Sequence, residues 1–172
     1  MKQIISVLLI FFWINSNACD CARINDLDAF QRESYSTSEL IFIGELTESN
    51  EDGSYEFRII ELFKGDVPDS VVAGEYRTSC SAFPDTGEHF WLVYANPNAN
   101  GVIDINSCGL SRSFEFPFLM NEQASVPPPP ERQSNDPTLS LIEHFKHMST
   151  YKAKALVVLR TEIEQLRKWR DE

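Results

Sequence analysis

The spacing of apolar residues changes rhythm several times along the chain. Residues 4–14 (IISVLLIFFWI) are apolar except for Ser6. Residues 25–33 then set Leu27 and Phe30 three apart, which predicts a short helix capped by Asn25 or Asp26. From Glu39 the period shortens. Residues 39–46 (ELIFIGEL) are almost continuously apolar, the pattern of a strand buried on both faces. Residues 54–63 alternate Tyr55, Phe57 and Ile59 with Glu56 and Arg58 and run into a turn at Phe63-Lys64-Gly65-Asp66. Residues 71–77, 89–94 and 101–105 complete a set of five or six short strands. Asp52-Gly53, Val67-Pro68-Asp69, Pro84-Asp85-Thr86-Gly87 and Asn96-Pro97-Asn98 punctuate the joins. Short strands at this spacing predict a small barrel or sandwich.

Beyond Met120 the composition shifts. Four consecutive prolines, 127–130, can enter neither a helix nor an inner strand, so residues 125–137 read as a stiff extended linker. From Thr138 the period becomes helical: Leu156, Leu159, Ile163 and Leu166 recur at steps of three and four. Two helices are predicted, roughly 138–147 and 150–170, with Asp136 and Pro137 marking the start. The stripe covers two heptads, which suits packing onto the rest of the chain better than a coiled coil. The expected organisation is a leader at 1–18, a β domain at 19–124, the linker, and a helical C-terminal segment at 138–172.

The leader has the build of a signal peptide. Lys2 precedes the apolar run, which is too short to span a bilayer, and Ser16-Asn17-Ala18 puts small residues at −3 and −1 of a cleavage site before Cys19. The exported chain of about 154 residues suits one domain with an appendage. Loss of Lys2 leaves fourteen basic against 26 acidic residues, a net charge of −12. That charge opposes nucleic acid and anionic lipid, and it favours a neutral or basic protein partner.

All four cysteines, Cys19, Cys21, Cys80 and Cys108, lie in the exported part. An even count in an exported chain points to two disulfides; the rival zinc site lacks the usual two-to-four residue gap between its first two ligands. Pairing Cys19 with Cys21 would close a strained ring. The two other connectivities both tie the start of the exported chain to segments near Cys80 and Cys108.

The order of several motifs resembles the netrin-like domain of the tissue inhibitors of metalloproteinases and its bacterial relatives. These are Cys19-Asp20-Cys21-Ala22, Ala29-Phe30, residues 40–46 (LIFIGEL), Phe63-Lys64-Gly65, Cys80 with Phe83 and Gly87, Trp91-Leu92-Val93-Tyr94-Ala95, and Cys108 with Ser111-Arg112-Ser113. The resemblance covers about 19–113. It implies a mainly β fold, a five-stranded OB-type barrel with a short N-terminal helix, to which the C-terminal helices are appended. It also implies the pairing Cys19–Cys80 and Cys21–Cys108. By the same resemblance, the amine and carbonyl of Cys19 would chelate the catalytic zinc of a metalloprotease, with residue 20 entering the protease pocket. An open zinc position and a preorganised five-membered chelate make this chemically sound. Asp20 departs from the small neutral residue usual there, because a carboxylate would face the protease's general-base glutamate. A further cysteine pair of the animal inhibitors has no counterpart.

Two alternatives carry different expectations. One is a non-inhibitory extracellular or periplasmic interaction module; the other is a lipoprotein acylated on Cys19, for which Ser16 replaces the usual apolar −3 residue. No enzyme motif is present: neither a phosphate-binding glycine loop, nor HExxH, nor Gly-x-Ser-x-Gly. His144 and His147, three apart on a predicted helix, lack a third ligand of obvious spacing and read as solvent-facing, and His89 has no nucleophile the sequence can place beside it. No catalytic residue, cofactor or resident metal is expected.

Overall fold

The computed structural model describes residues 19–120 and 136–172; the leader and nearly all of the proline linker lie outside them. Helix α1, Leu27–Thr37, begins where the Asp26 side chain accepts a hydrogen bond from the Ala29 amide at 3.0 Å. It runs one turn past the expected end at Glu33. Ser36 and Thr37 turn their hydroxyls back onto the Glu33 carbonyl instead of stopping the helix.

Strands β1 (Leu40–Ser49), β2 (Ser54–Lys64), β3 (Val71–Glu75), β4 (Phe90–Ala95) and β5 (Arg112–Ser113) form one antiparallel sheet in the order β3-β2-β1-β4-β5. The sheet is not closed into a barrel. β5 has only two residues and pairs with β4, while the outer edge of β3 meets Ile103 in a single parallel bridge. The expected strand at 101–105 is therefore reduced to that bridge. Ile103 exchanges backbone bonds with Ala73 and Glu75, but β3 ends at Glu75, so no ladder can extend. Ile103 and Ile105 are nonetheless fully buried.

β1 shows why its sequence is apolar throughout. Leu40 and Phe42 face one core with Tyr55, Phe57, Val72, Trp91, Val93, Ile103 and Ile105. Ile41 and Ile43 face a second core with Phe63, Leu92, Tyr94, Leu110 and Leu119. Successive strand residues point to opposite faces, so a central strand with a core on each side needs no polar positions. The first core is enclosed by the sheet and the 102–106 segment; the second is roofed by helices.

Tyr55 caps the first core. Its ring lies so close over β3 that a Cβ on Gly74 would stand 1.9 Å from Cε2. We expect Gly74→Val to cost about 3 kcal/mol of stability through overpacking, measured by urea unfolding. Gly87→Ala, where an added Cβ would meet nothing within 4 Å, is the control and should be near neutral.

The C-terminal segment is one helix, α2 (Pro137–Asp171), not two. The Ser149-Thr150 pair at the expected break donates its hydroxyls to the carbonyls of Phe145 and Lys146, one turn back, so the helix passes through. Asp136 caps it, accepting from the Thr138 amide at 2.8 Å. The C-terminal half of α2 lies on the sheet. Leu159 and Leu166 enter the second core, and Arg167 forks onto Glu61 of β2 at 2.6 and 2.9 Å. Along the other half, Leu139, Leu141, Ile142 and Phe145 are exposed. Among the described residues no helix is long and apolar enough to cross a membrane.

Candidate functional site

Three segments meet at the start of the described chain. Cys19 is bonded to Cys80 and Cys21 to Cys108, each with a Cα–Cα distance of 5.1 Å. The two anchoring loops are themselves tied together. The Cys80 carbonyl accepts from both the amide and the hydroxyl of Ser107, at 2.8 Å each, and Ser81 bridges Asn106. Within each loop, Ser81 Oγ accepts from the Thr78 amide at 3.0 Å, and Asn106 Oδ1 accepts from the Cys108 amide at 2.9 Å. These short-range bonds are what Ser, Thr and Asn offer to a turn. Residues 19–21 thus rest on a rigid support rather than fraying.

On this support Cys19 and Cys21 are half-buried and Asp20 is exposed between them. The sulfurs of Cys19, Cys21 and Cys108 lie within 4.8 Å of one another because the two disulfides stack side by side. Each sulfur is bonded to another, so none is a thiolate able to bind a metal. Two disulfides also place the folded chain in an oxidising compartment outside the cytoplasm.

No protein-family model matches the chain, and no curated protein matches it significantly.

Flanking Cys80 in the chain is a pair of aromatic residues, Tyr76 and Phe83, 43% and 41% exposed. Their ring centroids are 6.2 Å apart and their planes stand at 87°. With Asn50, Glu51 and Gly53 of the β1–β2 turn they line an open depression of about 350 Å³. Gly53, at φ +89°, shapes that turn: it donates to the Asn50 carbonyl and accepts from the Tyr76 amide at 2.8 Å. A side chain there would be strained and would press on Tyr76 Cβ at 3.4 Å. The sequence pattern did not single out this pair, because Tyr76 lies at a strand end and Phe83 in a loop.

The histidines stand apart from this platform. His144 and His147 lie on α2, with His147 against the Tyr151 ring at a centroid distance of 5.1 Å. His89 is largely exposed, with Nδ1 3.8 Å from a Glu115 carboxylate oxygen.

A buried ionic cluster, also absent from the sequence reading, locks α2 down. Glu162 is 1% exposed and accepts from Arg112 Nη2 at 2.6 Å, Tyr94 Oη at 2.7 Å and Gln31 Nε2 at 2.9 Å. One carboxylate therefore joins α2 to α1, β4 and β5. Its signal was in the sequence: Glu162 falls between Leu159, Ile163 and Leu166 on the apolar stripe.

Proposed function

We propose that this chain is a netrin-like, OB-type protein-binding domain that engages its partner through the Cys19-Asp20-Cys21 platform, and that the partner is a zinc metalloprotease. The observation that carries this reading is the double anchorage. Two disulfides to two mutually bonded loops hold the first residues of the expected exported chain in one place, as a chelating amine and carbonyl require. Preorganisation of this kind lowers the ordering cost of binding. The α-amino group of Cys19, freed by cleavage after Ala18, would lose a proton with a pKa near 7.7–8.0 at a cost of about 1 kcal/mol at neutral pH. The five-stranded antiparallel sheet with an N-terminal helix supports the OB-type assignment.

Asp20 favours a second reading, a non-inhibitory extracellular or periplasmic binding module on the same platform. An exposed carboxylate at the tip would have to be desolvated in a protease pocket beside a glutamate, at a cost of a few kcal/mol. Replacing Asp20 with Thr separates the two. Inhibition of a zinc-protease panel should strengthen about ten-fold or more on the first reading and stay absent on the second. Failure of both the native protein and the variant to slow any protease discards chelation.

Mass spectrometry of the unreduced, exported protein tests the premise directly. A free amine on Cys19 is expected. A sulfur in a disulfide cannot also carry a thioether-linked lipid, so an acyl group on Cys19 would establish the lipoprotein alternative instead.

A further inference from the structure

We propose that the depression between Tyr76, Phe83 and the β1–β2 turn is a binding site for an alkylammonium cation, a quaternary or methylated nitrogen with an apolar shell. The site does not depend on zinc chelation by Cys19. Two large aromatic side chains standing about 40% exposed at right angles supply two walls of the depression. Aromatic rings attract cations through their quadrupole, and paired rings recognise methylated ammonium groups that a lone carboxylate holds poorly.

The walls are fixed in advance. The Tyr76 backbone is held through its amide to the Gly53 carbonyl, and its ring rests against Phe83 with centroids 6.2 Å apart. Phe83 lies between two pinned neighbours, Ala82, which donates to the Ile105 carbonyl at 2.7 Å, and Pro84, whose carbonyl accepts from Ser49 Oγ at 2.7 Å. Its ring also packs edgewise on buried Tyr55, with centroids 6.4 Å apart. A pocket with walls set before binding spends little on ordering.

The charges select a cation over a neutral apolar group. Glu51 lines the depression, and its carboxylate has no hydrogen-bond or ion-pair partner among the described residues. Neighbouring Asp52 accepts from both the amide and the hydroxyl of Ser54, at 2.9 and 2.6 Å, interactions that favour its ionised form. The guanidinium of Arg77 is paired with Glu75 at 3.3 Å. A net charge of −11 over the whole sequence adds a long-range attraction for cations.

The test uses the full exported chain and choline chloride, titrated against its neutral isostere 3,3-dimethylbutan-1-ol, with the ring-proton signals of Tyr76 and Phe83 as readout. Saturable shifts with choline are expected, with the neutral alcohol binding about five-fold or more weakly. Phe83→Leu, which keeps apolar bulk but removes the ring, should abolish that preference. Glu51→Gln should weaken choline binding about three-fold at low salt and less at high salt. A peptide bearing Nε-trimethyl-lysine, compared with choline and with the unmodified lysine peptide, distinguishes a protein-borne cation from a free small molecule. Equal binding of the neutral alcohol, an unaltered preference in Phe83→Leu, or no saturable shift in protein with a native near-ultraviolet spectrum would overturn the proposal.

Discussion

Glu162→Ala is expected to destabilise the protein by about 3–5 kcal/mol, because it leaves the Arg112 guanidinium buried without its counter-charge. Arg112 and Glu162 side chains are 2% and 0% exposed, so water cannot substitute for the missing carboxylate. Arg112 would keep only its bond to the Leu110 carbonyl, while Gln31 Nε2 and Tyr94 Oη would each lose an acceptor. Set against a typical total of 5–15 kcal/mol, that loss removes a large share of the stability or releases α2 from the sheet. Urea denaturation measures the first outcome and hydrogen exchange along residues 155–170 the second. The double replacement Arg112→Leu with Glu162→Leu removes both charges together and should recover much of the stability. If Glu162→Ala costs under 1 kcal/mol, the cluster does not hold α2.

The same cluster gives an alkaline limb to stability. Burial first, and then the neighbouring Glu162 carboxylate, hold the Tyr94 phenol well above its ordinary value of 10.0. The native state therefore keeps a proton that the unfolded chain releases. The associated stability is complete below about pH 10 and is lost as pH rises beyond it toward the folded value. Tyr94→Phe should flatten that limb, leaving the part due to Tyr55, whose phenol is likewise pushed up mainly by burial.

Removing the Cys21–Cys108 bond, by replacing both cysteines with serine, is expected to cost about 2–4 kcal/mol. Its sequence separation is 87, yet with Cys19–Cys80 intact the chain is already closed nearby. The ring that the second bond adds is only about thirty residues, which puts the entropic ceiling near 3.5 kcal/mol. Removing both bonds should cost clearly more, since the remaining constraint then vanishes too. Thermal unfolding of the single and double knockouts checks the order. Local exchange at residues 19–24 should rise in both, because no strand pairing otherwise restrains that segment. Equal stability of native and single-knockout protein would mean that the Cys19–Cys80 bond together with packing already fixes the N-terminus.

Much of the sheet was legible because its causes are local in the sequence. Alternation in residues 54–63 and the apolar run in residues 39–46 mark β2 and β1 to within a few residues, and Asp136-Pro137 marks the start of α2. The extent of pairing was not legible. Residues 101–105 read as a strand from the inward Ile103 and Ile105, but whether a strand forms depends on how far its neighbour runs. Ser149-Thr150 read as a break, yet a hydroxyl can serve a helix as readily as a turn, and the surrounding helix decides.

By itself the sequence marked where β1 to β4 and the two helical regions lie, and it showed that four cysteines follow an apolar N-terminal run and that the chain is strongly acidic. These follow from side-chain period and composition, which need no knowledge of distant neighbours. Only the tertiary structure decided that the sheet stays open, that one helix docks through a buried Glu162, and that Tyr76 and Phe83 meet across a turn. Each depends on residues far apart in the chain, Arg112 and Glu162 being separated by 50 positions. Pairing energies at such range are set by where the folded backbone puts the groups, and no local pattern records that.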